Sequence, residues 1–152
     1  MHMDKNIEFR VAGVRKPIGY WLKHLDRLIE DAFDHALADG NLSRRHWQVL
    51  NTLARGPATG AELNVALEPF TGDDPAALAP VIDALTRRGW VRAEADGRRH
   101  ALTVDGAAAH QGIRQDVDQT RRLTLRYVTT EEYAQVIDIL RRMAAGLESA
   151  AA

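Results

Sequence analysis

The chain of 152 residues carries 20 lysines and arginines against 21 aspartates and glutamates, a formal net charge of -1. Its composition, 45% hydrophobic and 27% charged, is ordinary for a globular domain and excludes a disordered or collagen-like chain. The absence of cysteine excludes a thiol nucleophile, a disulfide scaffold and a thiolate metal cluster. We find no signal core and no run of about 18 apolar residues, and we expect a soluble, cytoplasmic protein.

Two helices are predicted first. An apolar stripe of helical spacing begins after Pro17 and ends at Gly40, which predicts a helix of about six turns. Ser43 is a suitable N-cap for a shorter second helix, which Gly56-Pro57 ends. The inward side chains of this second helix are expected to be Trp47, Leu50, Leu53 and Ala54.

A third and a fourth helix follow. Thr59 and Glu62 have the spacing of a capping box, and the predicted buried stripe of the third helix is Leu63, Ala66, Leu67 and Phe70. A loop over 68–74 then leads to Asp74-Pro75, a typical start for a fourth helix that runs to Arg88. Pro80 lacks the amide that would bond to Ala76, so either the first turn is kinked or the regular helix begins near Ala79.

The apolar residues directly after Gly89 no longer have helical spacing. Two short stretches flank Asp96-Gly97, a strong signal for a two-residue hairpin turn. The register pairs Val91 with Leu102, Glu94 with Arg99 and Ala95 with Arg98. The sequence therefore predicts a two-stranded wing in which Glu94 and Arg99 form a favourable cross-strand pair.

Two long helices complete the chain. Thr103 caps a helix to about residue 126, with Ile113, Val117, Thr120, Leu123 and Tyr127 inward. Thr129 and Glu132 form a second capping box, which opens a last helix with an apolar stripe from Tyr133 to Leu147.

The elements divide the chain into two regions. Residues 42–103 have the order of a winged helix-turn-helix, with three helices and a two-stranded β-wing, in a mainly α protein. Residues 17–40 and 104–148 form helices too long to bury their stripes on so small a lobe, and 1–16 form an N-terminal extension. We expect these helices to interdigitate with a second copy in a twofold dimer, whereas a monomeric helical bundle is the alternative.

Several short stretches, in this order and spacing, resemble the MarR family of bacterial transcriptional regulators over nearly the whole chain. They are Pro17-Ile18-Gly19-Tyr20, Leu42-Ser43, Glu62-Leu63, Ile82-Asp83-Ala84-Leu85, Arg88-Gly89-Trp90-Val91, and Leu102-Thr103 with Gly106. The resemblance implies a homodimer on a pseudo-palindromic DNA operator, with the fourth helices in major grooves and the wings in flanking minor grooves. It also implies small, often aromatic effectors that bind between the dimer helices and the winged lobe.

Candidate DNA contacts lie on the wing. Arg98 stands beside the hairpin tip, where a guanidinium can enter a narrow minor groove. Arg92 and Arg99 are candidates for phosphate contacts, as is Thr59 at a helix N-terminus. The alternative for Arg92 and Arg99 is an ordinary solvated wing.

The fourth helix is unusual for a base-reading element. The positions that match the family's reading face are Ala76, Ala77, Ala79 and Pro80, which offer no hydrogen bond to a base. No lysine or arginine lies between Arg55 and Arg87, and the loop before this helix is longer than the family's turn and carries Asp73 and Asp74. These acids oppose binding to phosphates. A second hypothesis is therefore a degenerate winged-helix dimer that has lost operator reading and binds a protein or small molecule.

The candidate effector-binding residues combine stacking surface with polar groups, which suits an aromatic anion. They are Trp21, His24, His46, Trp47 and His110. Trp21 and Trp47 lie on apolar stripes, so a plain core role is the alternative. The scattered histidines have no zinc-ligand spacing, and no catalytic motif is present, so we expect no metal, no cofactor and no enzyme activity.

Overall fold

The computed structural model describes residues 16–151. Its helices are α1 (Ile18–Ala36), α2 (Arg44–Leu53), α3 (Gly60–Ala66), α4 (Glu68–Thr71), α5 (Ala79–Arg87), α6 (Val104–Thr124) and α7 (Thr130–Ala151). Its strands are β1 (Ala58–Thr59), β2 (Val91–Ala93) and β3 (Arg99–Leu102). A 3-10 turn at Ala38–Gly40 joins α1 to α2. The predicted extension over 1–16 lies outside the described residues, except for Lys16. No helix within 16–151 is long and apolar enough to cross a membrane.

The core lies in the winged lobe, between α2, α3, α5 and the sheet. The innermost side chains of this core are at most 2% exposed. They are Val49, Leu50, Leu63, Leu78, Leu85 and Val91, and Val117 of α6 packs with them. The predicted capping boxes are present at both sites: Thr59 and Glu62 exchange bonds at α3, and Thr129 and Glu132 do so at α7. The mainly α winged-helix fold predicted from the sequence is confirmed.

The sheet has three antiparallel strands in the order β1-β3-β2, one more than predicted. The β2–β3 register confirms Val91 opposite Leu102, and β1 adds Ala58 opposite His100. The turn is shifted from the predicted one, because the Gly97 amide donates to the Glu94 carbonyl and only Gly97, not Asp96, has the left-handed φ that a two-residue turn of type I′ needs at both positions. The Ala95–Arg98 pair is therefore replaced by bonds from the Arg98 and Arg99 amides to the Asp96 carboxylate.

The segment between α3 and α5 differs most from the sequence-based prediction. Residues 68–71 form the short helix α4, and Phe70, predicted to be buried, is 39% exposed. Pro80 lies in the first turn of α5, where its missing amide costs nothing, so the helix begins at Ala79 rather than at Pro75. Ala76 and Ala77 consequently lie in the turn before α5 and not on the helix.

The joint between α6 and the winged lobe is very close. The Thr103 hydroxyl accepts from the Gly106 amide and donates to the Gly89 carbonyl. A Cβ on Gly106 would lie 2.0 Å from the Trp90 carbonyl oxygen, so only glycine permits this approach of helix to backbone.

The long helices leave much apolar surface open. On α1, Ile18, Trp21 and Leu28 are about half exposed, and α7 has no buried residue along its 22 residues. Ile113, Val117 and Thr120 of α6 are buried as predicted, whereas Leu123 and Tyr127, predicted to face inward, are 66% and 88% exposed.

Candidate nucleic-acid interface and ligand cavity

The wing presents its arginines to solvent. Arg92, Arg98 and Arg99 are all exposed on the β2–β3 hairpin. Arg98 forms no ion pair with any residue in 16–151, whereas Arg92 lies 3.7 Å from Glu94 and Arg99 lies 3.9 Å from Asp96. Glu94 lies opposite Arg99 as predicted, since its amide donates to the Arg99 carbonyl at 2.8 Å, but their side chains form ion pairs with Arg92 and Asp96 instead of with each other. Such long, exposed pairs stabilise the fold little and leave the guanidiniums available to another anion.

Thr59 lies beside the wing, because its strand pairs with β3 and places it opposite Arg99. Its hydroxyl accepts from the Glu62 amide at 3.1 Å, and its own amide donates to the Glu62 carboxylate at 3.2 Å. The bond from the Thr59 amide to the Glu62 carboxylate, with the Thr59 hydroxyl and the Arg99 charge nearby, lowers the pKa of Glu62. A DNA phosphate that approached this N-terminus would have to displace the Glu62 carboxylate.

The exposed face of α5 is poor in groups that read bases. Ala79, Pro80, Asp83, Thr86 and Arg87 are exposed along it. Ala76 is also exposed, and Ala77 is half-buried, in the turn that the Asp74 carboxylate stabilises through the Ala76 amide. Arg87, at the far end of α5, is the one exposed residue of this helix whose side-chain donors stay free among the described residues, because the Thr86 hydroxyl donates to the Ile82 carbonyl at 2.8 Å.

Two of the predicted ligand residues meet at the joint between the winged lobe and α6. The Trp47 and His110 rings are parallel, with centroids 4.9 Å apart, and His110 Nε2 lies 3.1 Å from Asn51 Oδ1. Trp47 is 5% exposed. Burial, with the Arg114 charge nearby, lowers the pKa of His110, so the neutral ring is favoured.

The other three predicted ligand residues lie elsewhere. Trp21 and His24 share one end of α1 with Tyr20, and Trp21 is 54% exposed. His46 is at the start of α2, where its Nδ1 accepts from the Ser43 amide at 3.0 Å. Burial and the Arg88 charge lower the pKa of His46. The structure therefore brings together Trp47 with His110, and Trp21 with His24, as two separate pairs.

A cavity that the sequence did not indicate lies between α1, α6 and α7. Its volume is about 510 Å³, and its walls include Ile29 and Phe33 of α1 and Ile137 and Leu140 of α7. None of the five predicted ligand residues lines it. Because it is assembled from apolar side chains on three distant segments, it has no local sequence signal.

Arg44 lines one side of this cavity and is 9% exposed. Its Nη1 donates to Asp26 at 2.9 Å and to Glu30 at 2.8 Å, and Arg45 donates to the same Glu30 at 3.2 Å. Two carboxylates of α1 thus balance two guanidiniums of α2. Asp26 and Glu30 lie 14 to 18 residues before the arginines that they bind, so only the three-dimensional arrangement shows that they are partners.

No group of three metal-ligating side chains occurs within the part of the chain that the structure describes. No family profile matches the sequence, and a comparison with curated protein sequences found no significant match. Solved structures do match, many of them transcriptional regulators.

The MarR protein of E. coli in its reduced form is 20% identical, with a TM-score of 0.71 over 88% of this chain and 98% of that one. The chain has the fold of the MarR regulators. BpsR of Bordetella bronchiseptica, whose DNA binding is regulated by 6-hydroxynicotinic acid, gives 21% identity and a TM-score of 0.71 over 84% and 94% of the two chains. CouR of Rhodococcus jostii RHA1, solved with p-coumaroyl-CoA, is 21% identical, with a TM-score of 0.73 over 85% of this chain and 92% of that one. At these identities the likeness establishes the MarR fold.

Proposed function

We propose that the protein is a dimeric DNA-binding transcriptional regulator of MarR type, a repressor that a small aromatic ligand releases from its operator. The observation that carries the proposal is an exposed arginine at the tip of a wing, on a fold whose long helices have open apolar faces. Structural neighbours with the same fold include a DNA-binding protein regulated by an aromatic acid. The chain acts by binding, without a catalytic role.

The apolar faces of α1 and α7 support a homodimer. Tyr133, Val136, Ile137 and Met143 of α7 are each about half exposed in the single chain. Exposed contiguous apolar surface of this extent is rare on monomers and is typical of an interface. We assign 17–40 and 104–148 to the dimerisation region and 42–103 to the DNA-binding lobe.

The DNA contacts are proposed to come mainly from the wings. Arg98 enters the minor groove, while Arg92, Arg99 and the α3 N-terminus at Thr59 hold phosphates. Ala76 and Ala77 lie near the major groove, where alanine can touch a thymine methyl group without a hydrogen bond. Because α5 contributes few polar contacts, shape and backbone contacts carry most of the recognition.

A second candidate function is favoured by the acidic character of the segment before α5. Glu68, Asp73, Asp74 and Asp83 are exposed there, and no lysine or arginine lies between Arg55 and Arg87. On this alternative, the dimer has lost operator reading and binds a protein or a small molecule.

For the effector we propose an aromatic carboxylate at the stack of Trp47 on His110. Of the other predicted residues, Trp21 with His24 on α1 and His46 at the start of α2 are separate candidates, since they do not meet this stack. The cavity between α1, α6 and α7 is a further candidate, since about 510 Å³ falls within the range of small-molecule pockets. His110→Ala opens the stack and Leu140→Trp fills the cavity. The variant that abolishes release of DNA by a panel of aromatic carboxylates identifies the effector site.

The function is tested by fluorescence-anisotropy binding to the DNA upstream of the protein's own gene and to scrambled DNA, at two salt concentrations. We expect a preference of at least ~10³ for the upstream DNA. Equal and strongly salt-dependent binding to both would indicate backbone contacts alone. No binding to either would favour the degenerate dimer.

The wing is tested in the same assay with Arg98→Ala. We expect a loss of about fivefold or more in affinity, because an arginine that contacts DNA contributes at least about 1 kcal/mol. Arg27→Ala, which removes one exposed charge from α1, is the matched control. If Arg98→Ala and Arg27→Ala bind the DNA with equal affinity, the proposed role of the wing is wrong.

A further inference from the structure

The segment between α3 and α5 is longer than a helix-turn-helix turn, which usually has three or four residues. Leu67 and Leu78 are buried at its two ends, and residues 68–77 between them are exposed or half-buried. A segment with so little buried surface opens easily unless a specific contact holds it. Since it leads directly into α5, its order affects where that helix begins.

Phe70 of α4 supplies such a contact. Its ring centroid lies 4.9 Å from the guanidinium carbon of Arg44 and 4.8 Å from that of Arg45. Both distances are within the range in which an aromatic face attracts a cation. The two arginines are held in turn by Glu30, and Arg44 also by Asp26. A continuous set of contacts therefore runs from α1, through the start of α2, to α4.

The charges of the residues in contact explain why two guanidiniums can lie against the Phe70 ring. Arg44 and Arg45 are balanced by Asp26 and Glu30, and the side chains of Arg44 and Glu30 are 11% and 31% exposed. Partial exclusion of water strengthens a cation–π contact relative to a fully exposed one. A further tether of 68–77 is a bond from the Asn64 side-chain amide to the Pro75 carbonyl at 2.8 Å, and backbone bonds to Leu67 and Ala79 hold its two ends.

We infer that Phe70 is a positioning residue: clamped on Arg44 and Arg45, it orders residues 68–77 and fixes the start of α5 relative to α1. Through this contact, a change in the position of α1 reaches the DNA-facing helix. The consequence for DNA affinity rests on the proposed function, whereas the ordering of the segment does not.

The clamp is tested by hydrogen exchange of backbone amides in the free, full-length protein. Phe70→Leu keeps an apolar side chain but removes the aromatic face. We expect the amides of Thr71, Gly72 and Ala77, which donate to the carbonyls of Leu67, Glu68 and Asp74, to exchange about fivefold to thirtyfold faster. Phe70→Tyr, which restores an aromatic face, should return them to the wild-type rate.

Two comparisons separate the clamp from general loosening. Val65→Ala on α3, where Val65 is 76% exposed, is the matched control and should leave the three amides unchanged. Glu30→Gln should accelerate the same amides, and its effect should be less than additive with that of Phe70→Leu because both act on one set of contacts. Unchanged exchange in Phe70→Leu, or no recovery in Phe70→Tyr, would overturn the inference.

DNA affinity provides the functional readout. Because α5 binds only when the segment is closed, Phe70→Leu should weaken binding in proportion to the closed fraction that is lost, by up to about fivefold, and Phe70→Tyr should restore it. An undiminished affinity in Phe70→Leu would overturn the link from the clamp to α5. If the wild-type protein binds no DNA, the proposed function fails, and the exchange rates still decide whether Phe70 orders the segment.

Discussion

The winged lobe and the long helices satisfy their apolar side chains in different ways. In the lobe, Leu50, Leu63 and Leu85 have no exposed surface within the single chain. On α7, the stripe from Tyr133 to Leu147 lies open, and no residue of the helix is buried. The same type of amphipathic pattern therefore leads to a closed core in one region and to an open face in the other.

The difference indicates where each region obtains its stability. The lobe closes its core because α2, α3, α5 and a small sheet surround it on all sides. Helix α1 packs against α6, and α7 has no buried residue within the chain, so the single chain leaves the apolar stripes of both helices largely open. In the proposed dimer a second copy would cover these stripes, and the burial would contribute about 25 cal/mol for each Å² of apolar surface removed from water.

The largest expected effect is at the joint of the two regions. Gly106→Ala should lower the free energy of unfolding by about 3 kcal/mol or more, because the new methyl group would collide with the Trp90 carbonyl. Gly112→Ala on the same helix is the matched control. Nothing lies within 4 Å of its added Cβ, so it should raise stability by up to about 1 kcal/mol. Denaturant unfolding of both variants measures the contrast, and equal effects would refute a close joint.

The next effect concerns the open face. Met143 of α7 is 50% exposed, and Met143→Asp should prevent dimerisation, because a carboxylate would be buried in the interface without a partner. Sedimentation velocity should then detect monomers. Circular dichroism should show that these monomers keep their helical structure. Val65→Asp introduces the same charge at a residue 76% exposed on α3 and should leave the dimer intact. A dimer that tolerates Met143→Asp would place the interface elsewhere.

The smallest effect is a pH dependence at the stack of Trp47 on His110. The pKa of His110 is lowered in the folded protein, so between that pKa and about 6.5 the unfolded chain binds more protons than the folded one. Stability should therefore be full above pH 7 and fall as the pH is lowered through this window. His110→Gln should flatten the dependence, with His35→Gln as the control for loss of one imidazole. His46, whose pKa is also lowered, will retain part of the slope.

The sequence predicted features that depend on local chemistry. The capping boxes at Thr59 and Thr129, the N-cap at Thr103 and the Val91–Leu102 register involve residues close in the chain, and all are confirmed. Pro80 left two alternatives, a kinked first turn or a helix that begins near Ala79, and the structure confirms the second.

The features that the sequence did not predict depend on distant residues. Strand β1 has two residues, too few for a periodic pattern, and exists because β3 pairs with it. Phe70 reads as the next member of an apolar stripe, but the chain turns at Leu67 and carries it to Arg44 and Arg45. The cavity between α1, α6 and α7 likewise joins segments far apart in sequence. The assignment of DNA and effector contacts to particular residues stays a prediction.

The most direct test of the contrast between a closed lobe and open helices is the mass of the unmodified chain in solution. Sedimentation equilibrium over a range of micromolar concentrations would measure it without any substitution. We predict a species of twice the chain mass of 16.9 kDa, with dissociation only on dilution. A mass of 16.9 kDa throughout that range would mean that α1 and α7 remain uncovered, and it would contradict the account.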